Sequence, residues 1–265
     1  MVSWGISAWT KHRSREILKS PGRYLAILTI VALGVGLFSG LKITMADMHA
    51  TADKYIGDYK LYDYRLISTL GLTEEDVENI SKLEGVKDAV GAYEADFIAA
   101  LEGSDEIVLK AHSITSGINL PNLTAGRLPA APDECLVDAY HFGEEFIGKK
   151  IAVSDENSKE TASKFAYSEY QIVGLARSPL YLGMERGTTS LAGGRVSAFV
   201  LIPPKGFATD YFTDIYVLLD ESGYIYSDEY KAAAEKMKQP LTDAIEERGL
   251  VLLKSIKDEA YAEIA

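Results

Sequence analysis

The chain has 265 residues, 47% hydrophobic and 25% charged, with a net charge of −12 at pH 7. That composition excludes a disordered or collagen-like chain, and the acidic balance argues against the basic face that a nucleic-acid binder needs. The single cysteine, Cys135, rules out an internal disulfide and a cysteine-ligated zinc, and His12, His49, His112 and His141 never sit three to five residues apart, so no His-x-x-x-His metal pair exists.

The charge is unevenly spread. Residues 1–23 hold Lys11, Arg13, Arg15, Lys19 and Arg23 against Glu16 alone, a net +4, which leaves −16 on the remainder. Between the two lies Tyr24 to Leu41, YLAILTIVALGVGLFSGL, eighteen residues without a charge. As a helix this run is about 27 Å long. Lys42 can snorkel, and Ile43 to Ala46 bring the segment to the roughly 30 Å of a bilayer core. Only Thr29 and Ser39 offer polar side-chain atoms, too few for a solvated stripe. The pattern predicts a transmembrane helix over 24–46. The cationic flank before it places the N-terminus in the cytoplasm and the acidic body outside. The rival reading is a cleaved signal peptide. Its apolar region is normally shorter and ends in small residues, whereas Met48-His49-Ala50 is bulky where cleavage needs a small side chain.

The leader 1–23 mixes Trp4, Ile6, Trp9, Ile17 and Leu18 with its cations. It fits either a short amphipathic helix at the inner membrane interface or a disordered basic segment. Gly36 and Gly40 form a G-x-x-x-G pair, with Gly34 nearby, and small residues on one face let a second helix approach closely. Glycine is also simply common in membrane helices.

Helix continues from Leu41 to about Asp58. Leu61 to Leu70 is β-favouring. Thr73-Glu74-Glu75-Asp76 fits a capping box, followed by Val77, Ile80 and Leu83 on one helical face, with Gly85 as the stop. Val86 to Leu101 reads as a strand, Glu102 to Asp105 as a turn, and Glu106 to Ile114 as its hairpin partner. This is a β-α-β-β unit of an α+β domain. Further strands are predicted at 134–137, 150–154, 170–175, 196–202 and 214–219, most simply as a second, β-rich subdomain. Asp228 to Gln239 is helical, with Pro240 ending or kinking it. Ser255 to Ala265 reads as a new helix that stops inside its own pattern, as a truncated product would.

No motif for chemistry survives inspection. GEEFIGKK (143–150) is one residue off the phosphate-binding loop, lacks the final hydroxyl, and leads into a strand instead of a helix. The Gly-rich run 187–194 opens no evident helix and reads as a loop. Pairs such as Glu144 and Glu145 belong to a solvated acidic face. Cys135 sits beside Leu136 and Val137 as a buried hydrophobe. No Ser-His-Asp arrangement is identifiable. The sequons at Asn79 and Asn122 matter only in a glycosylating secretory pathway. The residues predict no catalytic, cofactor-binding or metal site.

Several stretches resemble the N-terminal part of FtsX-like, MacB-type ABC transporter permeases. SREILKSPGRYLAILTIVALGVGLFSGL (14–41) resembles the basic lead into their first membrane helix. GLTEEDVENISKLEGVKDAV (71–90) is similar to the first β-α-β of the extracytoplasmic core domain. AGRLPAAPDECLVD (125–138), YQIVGLARSPLYL (170–182) and GTTSLAGGRVSAFVLIP (187–203) resemble later parts of that domain, in the same order. The resemblance implies a basic leader (1–23), a membrane helix (24–46), an extracytoplasmic domain with a porter-like part and a β-rich subdomain (47–250), and the start of a further helix (251–265). It also implies a cytoplasmic ABC ATPase as partner, engaged through membrane and cytoplasmic portions that this sequence lacks. A second permease copy and the bilayer are the other expected partners. Exported or extracted lipoproteins, peptides or drugs, or signalling to the cell envelope, are the implied tasks. Gly34, Gly36 and Gly40 are the expected helix-packing residues. Lys11, Arg13, Arg15, Lys19 and Arg23 are the expected topology-determining flank. The alternative is a single-pass, membrane-anchored domain that binds a ligand or a protein. A cell-surface enzyme is disfavoured by the missing catalytic constellation.

Overall fold

The computed structural model describes Arg15 and residues 18–101, 105–220 and 223–264. The chain divides into two compact units, the first running to Ala52 and the second starting at Asp53.

The first long element is a single helix, α1 (Pro21–Tyr59), in which none of the 39 residues is buried. It contains the expected span and the expected continuation in one piece. Thr29 and Thr44 turn their hydroxyls back onto the carbonyls of Leu25 and Gly40, so these two polar side chains are satisfied by the helix itself.

The second unit has two sheets. The smaller has the order β1 (Tyr64–Leu72), β10 (Phe212–Leu219), β2 (Val86–Ala92). The last strand in sequence lies between the first two and runs antiparallel to both. Helix α2 (Glu74–Ser81) begins at the expected capping box: Asp76 N–H donates to Thr73 Oγ1 at 3.4 Å, and Thr73 N–H donates to Asp76 Oδ2 at 2.7 Å. Its Ile80 packs with Leu72, Ile215, Val217, Met237 and Leu241 on one face of this sheet.

The larger sheet adds β3 (Glu94–Leu101), β4 (Ile107–Ser113), β5 (Asn122–Gly126), β6 (Glu134–Asp138), β7 (Lys150–Val153), β8 (Glu169–Arg177) and β9 (Ala198–Ile202). Its order is β5-β8-β6-β9-β4-β3-β7, and β7 also pairs with β8. Six strands therefore close into a ring, which removes free edges, and β5 adds to the outer half of β8. The inward residues fill the ring: Phe97, Leu109, Val137, Ile151, Ile172 and Val200 are all 1% exposed or less.

Three expectations are corrected. Val86 to Leu101 is not one strand: it breaks at Tyr93, its first half joining the small sheet and its second the ring. The two β regions are therefore interleaved along the chain, not sequential. Pro240 ends nothing. One helix, α4 (Asp228–Ile264), runs through it, and the residues expected to start a new helix at Ser255 continue the same one. A helix-interior proline costs about 3 kcal/mol. Met237 and Leu241 flank it at 4% and 1% exposure, and burying each is worth roughly 1.5–3 kcal/mol, enough to carry the helix past it. Arg248 Nε also pairs with Asp76 Oδ1 at 2.9 Å, tying α4 to α2. Strand β5 and the short helix α3 (Lys159–Ala162) were not anticipated.

Candidate functional site

In α1 the three expected packing glycines sit in open space: a Cβ added at Gly34, Gly36 or Gly40 would meet no atom within 4 Å. The described residues contain one helix long and apolar enough to cross a membrane, with mean hydropathy 2.2 over its best window. Of the cationic flank, Arg15, Lys19 and Arg23 are exposed. Lys11 and Arg13 lie outside the described residues.

The C-terminal turn of α1 belongs to the second unit and is gripped there. Lys60 N–H donates to Gly57 O at 3.3 Å and Leu61 N–H to Ile56 O at 3.0 Å. This is a Schellman ending, with Lys60 at the left-handed position (φ 49°) that glycine usually occupies. A loop then bonds to that ending. Asn119 N–H donates to Lys60 O and Leu120 N–H to Tyr59 O, both at 2.8 Å, while Tyr62 N–H donates to Asn119 Oδ1 at 3.0 Å. Ile118, fully buried, fixes the loop among Ala92 and Tyr216. On the other side, Asp53 accepts from Ile225 N–H, and Asp63 accepts from Leu219 N–H and the Tyr230 hydroxyl. Burial pushes the Asp63 carboxyl above its ordinary range. A cavity of about 220 Å³ lies here, lined in part by Asp53, Ile56, Lys60, Asp63 and Tyr230.

A second polar cluster joins the two sheets. Arg65 on β1 bonds Asp214 at 2.5 Å and Glu94 at 2.7 Å. Lys110 reaches Glu94 and Asp96, both at 2.8 Å. His112 is buried between them, its Nε2 2.7 Å from the Tyr181 hydroxyl and its Nδ1 3.4 Å from Glu94. Burial outweighs the neighbouring carboxylates and pushes the His112 ring down to about 4, so the fold holds it neutral. His112 Nε2 shares a hydrogen bond with the Tyr181 hydroxyl, whereas Nδ1 is buried without a hydrogen-bond partner among the described residues. Tyr181 stacks on Phe199 with ring centroids 5.1 Å apart. Next to it, Arg186 makes a buried two-point contact with Asp138, at 2.5 and 3.1 Å, with its guanidinium 5.1 Å from the Tyr181 ring. This pair fixes the root of the loop whose Leu182 and Met184 are exposed.

The stretch AGRLPAAPDECLVD turns out to be architectural. Arg127 grips Glu134 at two points, 2.5 and 2.7 Å, and Glu134 also accepts from Ala130 and Ala131 N–H. The guanidinium, with those amides, holds Glu134 down to about 2. Gly126 has φ +78°, and a Cβ there would come within 2.3 Å of Val173 O, so only glycine fits where this segment crosses β8. Cys135 is buried, and burial pushes its thiol above the usual range. Residues 144–146 form a 3-10 turn before β7, and no helix N-terminus follows Gly148. Among the described residues no group of three or more His, Cys, Asp or Glu side chains is placed to hold a metal ion. The arrangement contains no activated nucleophile. It holds one helix end and one loop root firmly.

The sequence-based reading found α1 but missed the joint at Lys60 and Asn119, the His112 cluster and the Arg186–Asp138 pair. The turn-forming run Ser-Gly-Ile-Asn (116–119) was the one available signal for the joint.

No protein-family model matches this sequence, and no curated protein does. Solved structures do resemble it. The extracellular domain of the noncanonic ABC-type transporter YknZ from Gram-positive bacteria is similar at 14% identity and TM-score 0.39, over 63% of this chain and 80% of that one. The periplasmic region of MacB from Actinobacillus actinomycetemcomitans is similar at 12% identity and TM-score 0.37, over 67% of this chain and 76% of that one.

Proposed function

We propose that this chain is the N-terminal portion of an ABC transporter permease subunit, in which α1 spans the cell membrane and the β unit lies outside. The reading rests above all on one observation: a single unbroken helix contains both the apolar span and, at Asp53–Tyr59, a turn gripped by the β unit. The cationic flank Lys11, Arg13, Arg15, Lys19 and Arg23 supports a cytoplasmic N-terminus. Gly34, Gly36 and Gly40 offer a close-packing face to another membrane helix of the permease or of a second copy. ATP hydrolysis belongs to a separate cytoplasmic partner. Its work reaches the outer domain as movement of membrane helices, for export or extraction of a lipoprotein, peptide or drug, or for signalling to the envelope.

The test is isolation from native membranes through an N-terminal tag in mild detergent. The expected outcome is a subunit well above 29.0 kDa with an ATP-hydrolysing protein bound to it. A lone 29.0 kDa chain with no ATPase overturns the proposal in favour of a single-pass binding protein. In the complete permease, Ala50→Pro, placed between span and joint, is expected to abolish transport at normal expression. Full transport by that variant contradicts transmission through α1.

A further inference from the structure

Among the described residues, two non-glycine residues have left-handed backbone, Lys60 (φ 49°) and Asn119 (φ 52°). They are far apart in sequence, yet the amide of one bonds to the carbonyl of the other. Such conformations cost free energy and persist where the surroundings over-determine them. We propose that Lys60 and Asn119 form a rigid clasp that locks the last turn of α1 to the 117–120 loop, so that displacement of that turn is passed to the β unit instead of being absorbed at the junction. This rests on the permease reading for its purpose, but the clasp itself is a property of the second unit alone.

The residues divide the work. Lys60 turns the chain sharply after Tyr59, so that the carbonyls of Tyr59 and Lys60 both face the loop. Asn119 closes the contact from the other side. Its amide takes the Lys60 carbonyl while its side-chain oxygen takes the Tyr62 amide, so one residue holds the chain on both sides of Leu61. Asparagine suits this place because it tolerates left-handed backbone while its short side chain bonds locally. The loop is itself immobilised. Ile118 is fully buried, and its carbonyl accepts from Thr115 Oγ1 at 2.5 Å. Tyr62, immediately after the joint, stacks on Tyr216 of β10 at 5.0 Å. Each bond at the joint therefore ends on an element that is anchored in the core.

Spin labels on Lys54→Cys and Glu160→Cys, both exposed sites of the second unit, measure this in the full chain reconstituted in lipid nanodiscs, with Cys135 buried and unreactive. The expected result is one narrow distance distribution, which broadens in Asn119→Ala with little change in Tm and narrows again in Asn119→Asp, where an acceptor returns. Exchange of the Tyr62 and Leu120 amides is expected to quicken about tenfold in Asn119→Ala. If that variant does not fold, Asn119→Gly keeps the backbone conformation and removes only the acceptor. A distribution already broad in the parent, or one unchanged in the folded variant, overturns the clasp. None of these readouts needs transport or an ATPase. Failure of the clasp therefore leaves the permease reading standing, and a chain isolated without an ATPase leaves the clasp standing.

Discussion

The helix up to Ala52 and the β unit from Asp53 solve the same problem in opposite ways. In α1 every backbone polar group of the helix interior is satisfied locally, and Leu25, Leu33, Leu37 and Phe38 all point outward, more than half exposed. In the β unit the apolar side chains face inward and the backbone is satisfied by distant strands. The first arrangement is stable only where the solvent is itself apolar, the second only in water. The comparison shows why equal hydrophobicity carries different meaning in the two regions.

The sharpest way to break this comparison is to make the same truncation in both. Phe97→Ala, in the filled ring, is expected to cost about 3–5 kcal/mol because it leaves a cavity, whereas Leu33→Ala is expected to cost well under 1 kcal/mol because lipid fills the space. Chemical denaturation of the β unit in detergent reads both, and equal losses would contradict the assignment of α1 to the membrane.

Charge gives the next contrast. Arg186→Met leaves Asp138 buried and unpaired, and a loss of about 3–5 kcal/mol is expected. Lys54→Ala removes one side of the exposed Lys54–Asp58 pair, and no resolvable change in Tm is expected. Thermal unfolding of the two variants separates them, and a mild Arg186→Met would mean that the loop root is held by its aromatic contacts instead.

Acid should act on the β unit through His112. The unfolded ring binds its proton near its ordinary value of about 6.5, while the folded one resists until about 4. In that window the unfolded state holds more protons, so stability falls as the pH drops, by about 3 kcal/mol in total. His112→Gln is expected to flatten this part of the stability–pH curve measured by urea unfolding, and an unchanged slope assigns the acid sensitivity elsewhere.

A modest effect is expected at the joint. Lys60→Gly removes the penalty of a left-handed lysine but also frees the unfolded chain, so a net gain of about 0.5–1 kcal/mol is expected if the native φ is strained. A loss in Tm would show that the Lys60 side chain contributes contacts of its own.

Much of the local structure was legible. The uncharged run gave α1, because eighteen apolar residues have few alternatives. Thr73 and Asp76 gave the start of α2, because a capping box satisfies its donors within four residues. The β3–β4 hairpin followed from alternation. The break at Tyr93 was not legible, since its cause is a pair of sheets that recruit strands as remote as β7 and β10. Nor was the passage of α4 through Pro240, which depends on Met237 and Leu241 meeting β1 and β10. Of the candidate site, Gly34, Gly36 and Gly40 could be named from spacing, but Lys60, Asn119, His112 and Arg186 could not. Their partners are remote in sequence, and nothing local marks a lysine as left-handed or a histidine as neutral.

The sequence by itself therefore determined the elements whose energetics close within a few residues: the apolar helix and the capped α2. Only the tertiary structure decided that β10 separates β1 from β2, that six strands close into a filled ring, and that the end of α1 is held by a loop some sixty positions away. The physical reason is the same in each case. Burial and hydrogen bonding between remote segments outweigh local preference, and no local pattern records which remote segment will supply the partner.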